Sequence, residues 1–163
     1  MGEARVFVGL GGNVGDALGS IQQAIAELSE IPRSTLLVRS SLYRTAPIGL
    51  EDQADFVNAV ANFRTELSPR ELLGELHRIE RRHGRVRREK NGPRTLDLDL
   101  LMYDDLISDD PTMIIPHPRM HERAFVLLPL SEIAPDSVIP GRGPIGELLS
   151  KLSNQGVTRL HVA

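Results

Sequence analysis

The chain has 163 residues, of which 40% are hydrophobic and 25% charged, with a net charge of −3 and no cysteine. These values are typical of one globular domain with a sizeable core, and they exclude disulfides and thiolate metal sites. No apolar run approaches the ~20 residues of a membrane span, and the first residues lead into a strand without a signal-peptide core. We therefore expect a single cytoplasmic domain over residues 1–163.

Hydrophobic patterning predicts alternating strands and helices in the first two thirds of the chain. A helix is predicted from Ala17 to about Glu30, capped by Asp16. The second helix begins at Ser68-Pro69-Arg70-Glu71, with serine as N-cap and glutamate at the capping-box position, and ends at Gly84. The predicted strands are Arg5–Leu10, Thr35–Tyr43, Phe56–Phe63 and Leu96–Tyr103.

This order, βαββαβ, indicates an α/β (α+β) protein with a ferredoxin-like core, in which an antiparallel sheet has helices packed on one face. Further C-terminal helices and short strands are expected after this core. Short strands are predicted near Leu106 and Ile114, and a helix from about Met120 to Ile133. A short helix at Ile145–Leu152 and a strand at Val157–Val162 complete the chain.

The glycine-rich segment Gly9-Leu10-Gly11-Gly12-Asn13-Val14-Gly15-Asp16 lies between the first strand and the first helix. It lacks the Gly-Lys-Ser/Thr of a P-loop and the spacing of a dinucleotide-binding loop. We interpret it as a tight strand-to-helix turn that requires positive φ and could border a pocket.

The pair Asp97 and Asp99 carries the clearest chemical signal. Strand side chains alternate faces, so both carboxylates point the same way, roughly 6.6–7 Å apart. Like charges on an apolar strand are costly unless they are neutralised, either by a neighbour such as Arg94 on an exposed face or by divalent cations. Hard oxygen ligands favour Mg²⁺, and such a pair could bridge two metals.

Residues 78–94 contain eight basic residues against two acidic ones, a local excess of six positive charges on an acidic chain. Such a segment favours a small polyanion over a long nucleic acid, and its arginines argue against a glycosidase pair of carboxylates. His77 and His83 are interpreted as surface histidines. Asn58, in the third strand, needs a partner, either a planar heterocycle or a backbone group across the sheet.

Several motifs, in order along almost the whole chain, match one family. They are Gly9–Asp16, Ser41–Gly49, Asp52–Asn58, Pro116–Met120 and above all Gly92-Pro93-Arg94-Thr95-Leu96-Asp97-Leu98-Asp99. With them the chain resembles the 6-hydroxymethyl-7,8-dihydropterin pyrophosphokinases of folate biosynthesis. The resemblance implies transfer of the β,γ-diphosphate of ATP to the hydroxymethyl oxygen of the pterin, with release of AMP.

The resemblance also implies roles for individual residues. Two Mg²⁺ ions would be held by Asp97 and Asp99. The pterin would be bound by Thr45, Ala46, Ile48, Phe56, Asn58 and Phe125. The nucleotide would be bound by His77, Glu80, Arg87, Arg94, Leu98, His117 and Arg123. The catalytic residues would be Arg85, Arg87 and Arg94, which would contact the phosphates. Arg85 and Arg87 would do so from a loop that closes over the site.

The expected partners are ATP and the pterin alcohol, with no nucleic acid and no membrane, and we expect a monomer. Asn91 and Pro118 stand where some relatives carry aromatic residues, which bears on nucleotide affinity. Two alternatives remain open from the residues alone. One is a ferredoxin-like RNA-binding module with stacking aromatics on its sheet face, and the other is a Mg²⁺-dependent phosphohydrolase.

Overall fold

The computed structural model describes residues 2–12, 17–45, 56–83, 96–152 and 156–160. Ten strands and five helical segments are assigned in these ranges. The strands are β1 (Ala4–Gly12), β2 (Ser34–Arg39), β3 (Tyr43–Thr45), β4 (Phe56–Thr65), β5 (Asp97–Tyr103), β6 (Ser108–Asp110), β7 (Met113–Ile115), β8 (Val138–Ile139), β9 (Gly143–Pro144) and β10 (Val157–Arg159). The helices are α1 (Ala17–Leu28), α2 (Pro69–Arg82), a 3₁₀ turn (Met120–Glu122), α3 (Ala124–Ile133) and α4 (Ile145–Ser150).

A six-stranded antiparallel sheet forms the centre of the protein. Its strand order is β10-β3-β4-β1-β5, and β2 pairs with the far end of β4. The core strands β5, β1, β4 and β2/β3 have the arrangement of a ferredoxin-like sheet, with α1 and α2 as its crossovers. The predicted βαββαβ order is therefore confirmed. Of the helices in the described residues, none is long and apolar enough to cross a membrane.

The start of α2 follows the predicted capping box. The Ser68 Oγ accepts a hydrogen bond from the Glu71 N–H at 3.1 Å, and the Glu71 side chain accepts one from the Ser68 N–H at 2.9 Å. Pro69 occupies the first turn, where its missing N–H costs nothing. Two other predicted boundaries, Asp16 and Gly84, lie outside the described residues.

Helices cover both faces of the sheet. On one face, α1 and α2 pack on a core that includes Val6, Val8 and Leu10 of β1. On the other face, the 3₁₀ turn, α3 and α4 pack on a second core that includes Phe7 of the same strand. The predicted packing of the two core helices on one face is confirmed, and the C-terminal helices, for which no face was predicted, add a third layer.

The predicted strand Thr35–Tyr43 is in fact two strands that separate at Ser40. The Ser40 N–H donates to the Val60 carbonyl at 2.8 Å, but the Val60 N–H donates to the Ser40 Oγ at 2.9 Å. The hydroxyl therefore takes the place of a backbone carbonyl in the ladder, which ends regular pairing at this point.

The predicted helix Met120–Ile133 is also interrupted. Arg123 has an extended conformation, with φ −119° and ψ 109°, and this residue separates the 3₁₀ turn from α3. The strand expected near Leu106 begins instead at Ser108 and forms a hairpin with β7, where Ile114 lies as predicted. The β8–β9 hairpin was not predicted from the sequence.

Candidate active site

The site is organised by two rows of residues across β4, β1 and β5. The first row is Asn58–Gly11–Asp97 and the second is Val60–Gly9–Asp99. Directly paired residues in an antiparallel sheet share a face, so both rows lie on the same side of the sheet. Two strand spacings place the Cα atoms of Asn58 and Asp97 about 9–10 Å apart.

The alternation predicted for β5 is present. Leu98 and Leu100 are buried in the core beneath α1 and α2, whereas Asp97 and Asp99 are half-buried on the opposite face. Among the described residues, no group of three or more His, Asp or Glu side chains forms a ready-made metal site. Two carboxylates with hard oxygen donors fit Mg²⁺, which keeps several waters and takes further ligands from phosphates.

The predicted turn over Gly9–Asp16 is wrong for Gly9 and Gly11, while residues 13–16 lie outside the described residues. Both lie within β1, and neither has a backbone conformation in the left-handed region. At Gly11 the reason for glycine is space, because a Cβ there would lie 2.8 Å from the Asn58 Nδ2. At Gly9 a Cβ would meet the Leu101 side chain at 3.4 Å, an ordinary contact.

Asn58 and Thr45 supply buried polar groups without partners. Asn58 is 8% exposed and pairs across the sheet with Tyr43, two residues before Thr45. Within the described residues, the Asn58 Oδ1 and the Thr45 Oγ1 are buried and have no hydrogen-bond partner. A buried polar atom left unpaired costs about 1–3 kcal/mol, so a ligand with matching polar edges would stabilise this place. Phe56, paired with Thr45, offers an exposed ring beside it.

His117 lies beside β5, two residues along that strand from Asp99. Its N–H donates to the Leu101 carbonyl at 2.9 Å, and its Nδ1 accepts from the Arg119 N–H at 3.1 Å. The proton of the neutral ring is therefore on Nε2, which can donate to a ligand. Burial, followed by the charges of Arg123 and Arg119, lowers the pKa of His117 to about 4, so the ring is neutral near pH 7.

Arg123 brings a half-buried positive charge to the site. Burial and then the neighbouring Arg119 lower the pKa of Arg123, while the carboxylate of Asp99 opposes that change. Its guanidinium lies 5.4 Å from the centre of the Phe125 ring. The guanidinium stays charged, because its ordinary pKa is so high. Arg123, Phe125 and Asp99 thus form one neighbourhood suited to an anion and a ring.

Glu80 has a different position from the other nucleotide-side residues. It is 2% exposed on α2, and its Oε2 accepts a hydrogen bond from the Leu98 N–H at 2.8 Å. This bond joins α2 to β5 between the two aspartates. The Leu98 side chain is buried in the core, so a contact from Leu98 to a nucleotide would come from its backbone. His77 lies exposed on α2, three residues before Glu80.

Five of the predicted site residues lie outside the described residues: Ala46, Ile48, Arg85, Arg87 and Arg94. The surface interpretation of His83 is wrong, because only 7% of its side chain is exposed and its Nε2 lies 2.5 Å from the Glu27 Oε1. This contact ties α2 to α1.

Glu132 is a residue that no sequence pattern singles out. The Tyr43 hydroxyl donates to its Oε1 at 2.7 Å, and the Ser41 N–H and Oγ donate to the same carboxylate. Burial and the bond to Glu132 raise the pKa of Tyr43 to about 12. The network fixes α3 to β3 beside Asn58. Nothing local signals it, because the partners are distant in sequence.

The profile of the 7,8-dihydro-6-hydroxymethylpterin-pyrophosphokinase (HPPK) family matches residues 7–135. The chain belongs to the HPPK family. It is 42% identical over 155 residues to the 2-amino-4-hydroxy-6-hydroxymethyldihydropteridine pyrophosphokinase of Haemophilus influenzae, which covers 95% of this chain and 97% of that relative. The enzyme of the same name from Synechocystis is 49% identical over 136 residues, or 83% of this chain and 69% of the relative.

The fold agrees with this membership. The crystal structure of wild-type Plasmodium falciparum HPPK-DHPS with pteroate matches 98% of this chain with a TM-score of 0.76, at 14% sequence identity. The match spans 46% of that longer chain, about half its length. The alternative of an RNA-binding module required an open sheet face with aromatics, but α3 packs across that face in this HPPK chain.

Proposed function

We propose that this protein transfers the β,γ-diphosphate of ATP to the hydroxymethyl oxygen of 6-hydroxymethyl-7,8-dihydropterin, yielding AMP and the pterin diphosphate for folate biosynthesis. The observation that carries the proposal is the row Asn58–Gly11–Asp97. It places Asn58, whose Oδ1 is buried and unpaired within the described residues, on one face with Asp97, and two strand spacings put their Cα atoms about 9–10 Å apart. That separation suits a ligand whose ring hydrogen-bonds to Asn58 at one end and whose hydroxymethyl oxygen, at the other end, accepts the diphosphate near Asp97.

The pterin side is formed by β3, β4 and α3. Asn58 and Thr45 offer polar atoms to the donor and acceptor edge of the pterin, which would relieve the cost of leaving those atoms unpaired. Phe56 and Phe125 would stack on the ring faces. Ala46 and Ile48 are proposed to close this pocket on the strength of the family resemblance alone.

The phosphate side is formed by β5 and the segment before α3. Asp97 and Asp99 would hold two Mg²⁺ ions, which neutralise the triphosphate and align it for attack. Arg123 adds a half-buried positive charge there, and the Nε2–H of His117 adds a neutral donor. Phosphoryl-type transfer needs little covalent help from the protein, so these residues act by orientation and by charge.

Three further arginines complete the phosphate side in this proposal. Arg85, Arg87 and Arg94 would contact the transferring phosphates, supported by the eight basic residues within 78–94. His77 is proposed to contact the nucleotide from α2. Glu80, being buried, would act by fixing β5 rather than by touching the nucleotide.

The reaction is tested by incubating the protein with Mg²⁺, ATP and the pterin alcohol and separating the products. AMP and the pterin diphosphate should appear in equal amounts, and no nucleotide should be consumed when the pterin is omitted. ADP as the nucleotide product would refute diphosphate transfer. Release of phosphate from ATP without the pterin would instead support a phosphohydrolase.

A further inference from the structure

We propose that Gly11 is a positioning residue for pterin recognition: it leaves room for the Asn58 amide to lie in the orientation that reads the ring. This inference rests on the pterin role proposed for Asn58. Its observation is separate, namely the space above Gly11, where a Cβ would come within 2.8 Å of the Asn58 Nδ2.

A Cβ at position 11 cannot coexist with the Asn58 amide in its present orientation. Real Cβ atoms essentially never approach a heavy atom to 2.8 Å, so an alanine there would force one group to move. The backbone of β1 is held by β4 on one side and β5 on the other, whereas the Asn58 amide is the end of a side chain. The amide would therefore move, and β1 would stay.

Movement of the amide changes recognition more than stability. The Asn58 Oδ1 is buried and unpaired in the described structure, so the protein gives up no hydrogen bond at that atom when the amide turns. A ligand that reads the amide, however, would lose the hydrogen bonds that depend on its direction. Gly11 thus acts on the pterin through Asn58 and would not itself touch the reacting atoms.

Gly9 provides a matched comparison within the same strand and on the same face. It pairs with Val60 and Asp99, one row away from Gly11. Its Cβ would meet the Leu101 side chain at 3.4 Å, an ordinary van der Waals distance. Both glycines lie in β1 and pair with β4 on one side and β5 on the other, but only Gly11 is next to the Asn58 amide.

The experiment measures pterin affinity by calorimetry, using 6-hydroxymethyl-7,8-dihydropterin in the presence of Mg²⁺ and an unreactive ATP analogue. We expect Gly11→Ala to raise the Kd for the pterin at least tenfold and to leave the Kd for the nucleotide within twofold of the parent. In turnover, the KM for the pterin should rise much more than kcat falls. Gly9→Ala should change the pterin Kd by less than threefold.

A double variant shows whether Gly11 acts through Asn58. If it does, Gly11→Ala combined with Asn58→Ala should bind the pterin no more weakly than Asn58→Ala alone, because the amide is already gone. Should Gly11→Ala prove poorly folded, the same double variant should recover the Tm by removing the clash.

Three results would overturn the proposal: an unchanged pterin Kd in Gly11→Ala, additive losses in the double variant, or, where Gly11→Ala is poorly folded, a Tm that the second substitution does not recover. Retention of pterin affinity by Asn58→Ala would refute the pterin role of Asn58 and the role of Gly11 together. Formation of AMP by the parent protein tests the reaction itself, independently of either residue.

Discussion

The buried carboxylate of Glu80 allows a direct test of how β5 is held in place. Glu80→Ala removes the acceptor of the 2.8 Å bond from the Leu98 N–H, and Leu98 is only 4% exposed. An unsatisfied buried donor costs about 1–3 kcal/mol. At a middle value of about 2 kcal/mol, a chain of this size should lose roughly 4–8 °C in Tm. Because β5 carries Asp97 and Asp99, affinity for Mg²⁺ and ATP should fall too.

Two further variants separate the backbone bond from the charge. Glu80→Gln keeps an oxygen that can accept from Leu98 but removes the charge, so its loss of Tm and of nucleotide affinity should be less than half that of the alanine variant. Glu75→Ala is the control, since Glu75 lies on the same helix and forms a half-exposed ion pair with Arg78; about 0.5 kcal/mol or less is expected.

Thermal unfolding without ligand and calorimetric titration with Mg²⁺ and an unreactive ATP analogue supply both readouts. If the glutamine variant were as impaired as the alanine variant in both, the charge and not the hydrogen bond would be the important property of Glu80. An unchanged Tm in Glu80→Ala would refute the anchoring role altogether.

Other predictions concern the metal site, His117 and the hydrogen-bond network that joins Tyr43 to Glu132 of α3. Asp97→Asn should slow AMP formation at least a thousandfold while Tm shifts only a few degrees; a rate near the parent value at saturating Mg²⁺ would contradict the metal role. The folded-state pKa of His117, about 4, lies below its ordinary 6.5, so the unfolded chain takes up the proton first. The stability from this group is therefore complete above pH 6.5 and is lost as the pH falls towards 4; an NMR titration of the ring should show a midpoint near 4, and one near 6.5 would refute its burial. Tyr43→Phe, which removes the hydroxyl that donates to Glu132, should lower the free energy of unfolding measured in urea by about 1–2 kcal/mol; no change would show that this hydrogen bond adds nothing to stability.

Features set by neighbouring residues could be predicted from the sequence. The Ser68 capping box needs only four consecutive residues, and it forms as expected. The alternation of Asp97 and Asp99 with buried leucines follows from the period of a strand. The metal and nucleotide roles of these aspartates stay predictions, as do the monomeric state and the cytoplasmic location.

Features set by distant residues could not be predicted. The break at Ser40 depends on a hydrogen bond with Val60 of another strand, which no local pattern reveals. Helix α3 is apolar on most sides, so its periodicity did not show which layer it would cover. Gly11 was interpreted as part of a turn because the sequence does not show that Asn58 lies beside it.

The place of β1 in the sheet also bears on how the protein is made. This strand precedes both of its partners along the chain, and β5, which pairs with its second edge, follows α2 in the sequence. During synthesis, a segment with apolar side chains on both faces therefore waits with one or both edges open, a state prone to wrong pairing. Most contacts of the site are non-local, and His117, Arg123 and Phe125 follow β5 in the chain, so binding competence should arise late, after β5 has closed the sheet and α3 has packed on it.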